Sequence, residues 1–186
     1  MTAHPAEIKR LPVVRISVVA LCLLAMGIGV AWLYWPMRAV MDVGGACAEG
    51  GPYVIETPCP EGSTLFLTLG IPLWMAGVFI GLVAASIQAP LPVFPGWAFL
   101  FGALGWNFLD YGLHADPSGR IVGSWLVCAI VFWLMALPAV VIFLGGPLFR
   151  RTPADSAGSG FGWIATYVVL LAVGWWLGTA SLNAWA

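Results

Sequence analysis

In the stretch GWNFLDYGLH, residues 105–114, four polar side chains interrupt an otherwise apolar segment. Asn107, Asp110, Tyr111 and His114 stand at i, i+3, i+4 and i+7, so on a helix they share one face. A carboxylate one turn from an imidazole can handle a proton, a cation or the polar head of a ligand. The same carboxylate, flanked by an amide and a phenol, can instead form half of an ion pair between helices. The cations in reach are Arg38 and Arg120, each next to the end of an apolar run.

What lends the stripe its weight is the chain around it. Of the 186 residues 61% are hydrophobic and only 8% are charged, and the mean hydropathy is +0.97. Soluble domains carry about 25% charged residues, and no soluble fold hides this much apolar surface. Runs of about 20 uncharged residues match a hydrocarbon layer of about 30 Å spanned by a helix. The chain reads as all-α: a polytopic membrane helix bundle of five transmembrane helices forming one transmembrane domain over residues 1–186, with the lipid bilayer as its solvent.

The expected spans are about 16–35, 64–87, 94–113, 121–146 and 161–185. The first follows Lys9, Arg10 and Arg15 and ends on Trp32, Tyr34 and Trp35 before Pro36, an interfacial aromatic belt. A signal peptide starts the same way, but AWLYWPM at 31–37 offers no small-x-small cleavage pattern. The second span tolerates Pro72 near its start, and the short connection QAPLPV makes spans two and three an expected antiparallel hairpin. Pro138 lies inside the fourth, and PLFRRTPADSAGSG reads as a polar loop before the fifth.

Orientation follows from basic residues, which favour cytoplasmic flanks. An inside N-terminus places Lys9, Arg10, Arg15, Arg150 and Arg151 in the cytoplasm and only Arg38 and Arg120 outside, five against two. Asp42, Glu49, Glu56, Glu61 and Asp116 then fall in outer loops, and five spans leave the C-terminus outside. Counting from Phe94 at ~1.5 Å per residue puts Asn107 and Asp110 in the outer third of the membrane. A carboxylate costs about 2.5–3.5 kcal/mol at the centre and less toward the edge, so Asp110 needs a partner or water.

The outer loop, 37–63, holds Cys47 and Cys59 in what would be an oxidising compartment, whereas Cys22 and Cys128 lie in apolar spans. Their separation suits neither a C-x-x-C redox motif nor a zinc site, which needs four close ligands. A structural disulfide is the expectation; closing a loop of this size is worth roughly 3 kcal/mol. Gly77 with Gly81 and Gly174 with Gly178 form GxxxG pairs, the spacing that lets two helices approach closely, within one protomer or in an oligomer.

Several chemistries lack their residues. His4 and His114 are the two histidines, and with His4 in the N-terminal tail they cannot clamp a haem. Ser124 and Ser181 have no neighbouring base in their spans, Lys9 is the one lysine, and neither GxxxxGK nor HExxH occurs. No cofactor is expected, nor any metal. A net charge of −1 without a basic patch argues against nucleic acid.

The strings CAEGGPYVIETPCPEG and GWNFLDYG resemble those of a family of uncharacterised multi-spanning membrane proteins common in actinobacteria, matching over the first loop and span three. The resemblance implies a bacterial plasma membrane and no activity. Three function classes stay open: a noncatalytic accessory or assembly protein with a membrane-protein partner or a second copy of itself; a small transporter or channel using Asp110; and a membrane enzyme with a site near Asp110 and His114. The stripe likewise admits three roles. It is a water-reached helix end, an interhelical lock tying spans one, three and four, or a functional site.

Overall fold

In hydrocarbon every backbone N–H and C=O must be satisfied within the protein, which a helix does inside its own segment. The computed structural model describes residues 5–44, 47, 57–86, 92–114, 121–149 and 157–185. Five helices make up nearly all of this: α1 (Pro5–Asp42), α2 (Ser63–Ser86), α3 (Val93–His114), α4 (Gly123–Phe149) and α5 (Ala157–Trp185). Stretches of α1, α2, α4 and α5 are long and apolar enough to cross a membrane. α3 has the length, 22 residues, but Asn107, Asp110 and four glycines dilute its apolar character.

Helix α1 is the axis of the bundle and touches α2, α3 and α5, while α4 packs on α3. Leu23, Met26, Val30 and Ala31 are fully buried within α1. Matching contacts fix directions. Met26 and Leu33 of α1 face Gly77 and Gly70 of α2, so those helices run antiparallel. Leu24 and Ala31 face Gly174 and Gly178 of α5, so α1 and α5 run parallel. Met26 also lies against Gly96 at the start of α3, and Met41 lies against Tyr111 near its end, so α3 is parallel to α1 as well.

Close approach is what the glycines supply. A Cβ on Gly174 would sit 2.5 Å from the Leu24 carbonyl oxygen, and one on Gly27 would sit 2.5 Å from that of Leu171. The two backbones therefore meet directly. Trp32 Nε1 donates to Ser181 Oγ at 2.8 Å and Trp35 Nε1 to Thr179 Oγ1 at 3.1 Å, pinning the same interface toward the C-terminal ends of both helices. In the second GxxxG pair, Gly77 receives Met26 and Gly81 receives Pro92. Both pairs thus lie at contacts inside one protomer.

An aromatic ladder joins α3 to α4: Phe101 and Phe108 both stack on Phe132, at 5.9 and 5.2 Å between centroids, and Phe108 stacks on Trp125 at 5.5 Å. The outer face of α4 leaves Val127, Ile130, Leu134, Leu137 and Val141 more than half exposed. Such a surface suits acyl chains and not water.

One expectation needs correction and another is met with a qualification. The first helix does not stop at Pro36 but continues to Asp42, so the loop begins a turn and a half later than residue 37. Proline forfeits one backbone hydrogen bond, and the packing of buried Met41 against α3 holds the turn beyond it. Gly44, at φ +103°, ends the helix in the left-handed region, with its N–H on the Met41 carbonyl at 3.0 Å. The hairpin of spans two and three is antiparallel but slight. α2 meets α3 through Trp74 on Trp97 and Gly81 on Val93 and on Pro92 just before it, and packs chiefly on α1. The small residues of α1 admit its neighbours more closely than a short connection can dictate.

Candidate functional site

The continuation of α1 past Pro36 carries Arg38, Met41 and Asp42 to the polar stripe of α3. These three stand at i, i+3 and i+4, one face of the last turn. Arg38 reaches Asp110 with an NH1–Oδ2 distance of 2.6 Å, and the same nitrogen donates to Asn107 Oδ1 at 3.3 Å. Its Cζ lies 5.4 Å from the centre of the Tyr111 ring, within cation–π range. Asp42 stands at 4.0 Å from Arg38 Nε, an exposed i, i+4 pair worth a few tenths of a kcal/mol.

The remaining members of the stripe have separate tasks. Asn107 is fully buried and turns its Nδ2 to Met41 Sδ at 3.8 Å. The Tyr111 hydroxyl donates to the Met41 carbonyl, which also accepts from the Gly44 N–H at the end of the helix. His114 stays largely exposed, with Nδ1 at 3.1 Å from Asp110 Oδ1 and 3.0 Å from the Asp110 carbonyl oxygen. Asp110 is one-third exposed. Its carboxylate therefore sits at the rim, with one oxygen on a guanidinium and the other beside an imidazole.

Arg120, the other expected partner of Asp110, lies outside the described residues, so the described network ties α3 to α1. The approach of α4 to the same end runs through Trp125, edge-on to Tyr111 at 5.7 Å, and through the Val122 N–H on the Gly112 carbonyl at 3.0 Å. Met41 and Asp42 are the two members that sequence reasoning misses, because Pro36 reads as the end of the helix.

No protein-family profile matches the chain, and no curated protein or solved structure is similar to it. The site must therefore be read from its own chemistry.

Cys47 and Cys59 are joined in a disulfide, with 4.9 Å between their Cα atoms. The bond closes the loop between α1 and α2 at the same end as the stripe. Ser181, excluded above as a nucleophile, is held structurally: it accepts from Trp32 and donates to the Gly178 carbonyl at 2.7 Å. Deeper in the bundle, Trp74 Nε1 and the Tyr167 hydroxyl are buried without a hydrogen-bond partner among the described residues. A cleft of about 350 Å³ opens between α1, α3 and α5, walled by Tyr34, Phe99, Trp106 and Trp175. Its walls are aromatic and offer nothing that selects one ligand. Among the described residues, no three metal-ligating side chains come together.

Proposed function

We propose that the chain is a noncatalytic accessory or assembly protein of the bacterial plasma membrane, crossing it five times, with its N-terminus in the cytoplasm and its C-terminus outside. It presents its disulfide-closed acidic loop to a membrane-protein partner or to a second copy of itself. The observation that carries this reading is the 2.6 Å contact of Arg38 with Asp110. A carboxylate so engaged, with buried Asn107 on the same guanidinium, acts as an interhelical lock. A transporter would need Asp110 to exchange partners, and an enzyme would need it to reach a substrate.

The fifth crossing rests on α3. From Gly96 to Tyr111 it runs beside α1 from Met26 to Met41, a matched 15 residues on each, or roughly 22 Å at 1.5 Å per residue. A helix that follows a spanning helix over that depth shares its crossing, and its polar stripe is tolerated because α1 supplies the partners. The basic residues and the resemblance to actinobacterial membrane proteins support the sidedness and the compartment.

Reporter fusions after Ser118, Ser156 and Ala186 should read outside, inside and outside. A cytoplasmic reading at Ala186 contradicts five crossings. The role is tested by purification from native membranes in mild detergent, which should bring down a stoichiometric membrane partner or a homo-oligomer. A clean monomer would contradict the accessory reading.

A further inference from the structure

A second group of polar side chains lies at the loop-bearing end, around the start of α2 and the end of α5. A cavity of about 180 Å³ there is walled by Trp35, Phe66 and Trp185 and lined by Glu61, Ser63 and Asn183. At ~30 Å³ per water it has room for about six waters, the size of a small polar head. Phe66 meets Trp185 edge-on at 6.2 Å. Gly62 makes this closure possible: it holds φ +72°, and a Cβ on it would stand 3.2 Å from Trp185 Nε1.

Two groups in this cavity have no partner among the described residues. Ser63 is 3% exposed and its Oγ has no hydrogen-bond partner among the described residues, an arrangement that costs free energy unless something else fills the role. Glu61 forms no ion pair among the described residues, and the loop from 43 to 62 contains neither lysine nor arginine to serve it. In sequence, residues 37–63 hold four acidic residues, Asp42, Glu49, Glu56 and Glu61, and the single cation Arg38, which Asp110 already engages.

The sign of the missing group follows. Aromatic faces attract cations through the ring quadrupole, and aromatic walls around a carboxylate are the arrangement that recognises ammonium groups. The last carbonyls of α5 add negative partial charge, while the positive end of α2 is offset by Glu61 itself. An anion would meet the Glu61 carboxylate. We propose that this cavity binds an ammonium group, primary or quaternary, with Glu61 as its counter-ion and Trp35, Phe66 and Trp185 as its walls, and with the side-chain oxygens of Ser63 and Asn183 as acceptors for the N–H donors of a primary ammonium. The group can be carried by a zwitterionic lipid head or by a free small amine.

Native mass spectrometry of the full chain in mild detergent tests this, with phosphatidylethanolamine, phosphatidylglycerol of the same acyl chains, and choline chloride as probes. Phosphatidylethanolamine should bind about tenfold more tightly than phosphatidylglycerol, and Glu61→Gln should remove that preference while Glu61→Asp keeps most of it. Because Glu61 is exposed, Glu61→Gln should leave the thermal midpoint unchanged, which separates lost binding from lost folding. Displacement of the lipid by choline assigns the site to free amines as well as lipids; binding of the lipid without displacement assigns it to the head group. Equal binding of both lipids together with no binding of choline overturns the proposal, as does full retention of binding by Glu61→Gln.

Discussion

Replacing Arg38 with alanine should lower the stability of the detergent-solubilised protein by about 2 kcal/mol. The figure lies between the ~0–1 kcal/mol of a surface pair and the ~3–5 kcal/mol of a buried pair that loses one member. It is placed there because the side chains of Arg38 and Asp110 are 26% and 34% exposed. The loss has two parts. Asp110 keeps its charge at the rim of the bundle without a cation, and fully buried Asn107 loses the donor to its Oδ1. For a chain of this size the midpoint should fall by roughly 4–8 °C. An unchanged midpoint would show water replacing Arg38 at no cost, and the stripe would be an ordinary helix end.

A larger loss is expected from Gly174→Leu, about 3 kcal/mol or more. The position of its first added carbon is 2.5 Å from the Leu24 carbonyl oxygen and 3.1 Å from the Gly27 Cα, so backbone, not a flexible side chain, must move. Overpacking of that kind costs about 1–3 kcal/mol even where neighbours yield. Moving α5 outward also strains the Trp32 and Trp35 hydrogen bonds to Ser181 and Thr179. Gly102→Ala is the matched control, since nothing lies within 4 Å of an added Cβ there. It should be neutral or slightly stabilising, by the ~0.5–1 kcal/mol by which alanine is favoured over glycine inside a helix. Equal tolerance of both substitutions would contradict the direct meeting of α1 and α5.

The helical class and the approximate position of each helix were legible because length and apolarity in a membrane protein leave the backbone little choice. The disulfide was legible too, since two cysteines shared one loop and the other two lay in apolar runs. The common face of Asn107, Asp110, Tyr111 and His114 follows from spacing alone. What faces them does not. Arg38 and Arg120 were equal candidates by sequence, and Met41 was invisible because Pro36 reads as a stop while packing on α3 carries the helix past it.

The glycines teach a related lesson. GxxxG spacing singled out Gly77, Gly81, Gly174 and Gly178 but passed over Gly27 and Gly29, which receive α5 and α2. Two positions apart on a helix they face opposite sides, so one motif on α1 serves two neighbours and matches no single-face pattern. Gly96, filled by Met26, and Gly105, filled by Trp133, were equally hidden, because each serves one protruding side chain and not a second glycine. Helix order around α1 depends on these one-to-one fits, which no periodicity encodes.

The lock between α1 and α3 is tested most directly by a double-mutant cycle on Arg38 and Asp110. Arg38→Ala, Asp110→Ala and the double variant would be compared with the parent for stability in the same detergent. The double variant removes both charges and leaves neither unpaired, so it should cost at least 1 kcal/mol less than the sum of the singles. Additivity within about 0.5 kcal/mol would mean that the two side chains do not depend on each other, and the stripe would not be a lock.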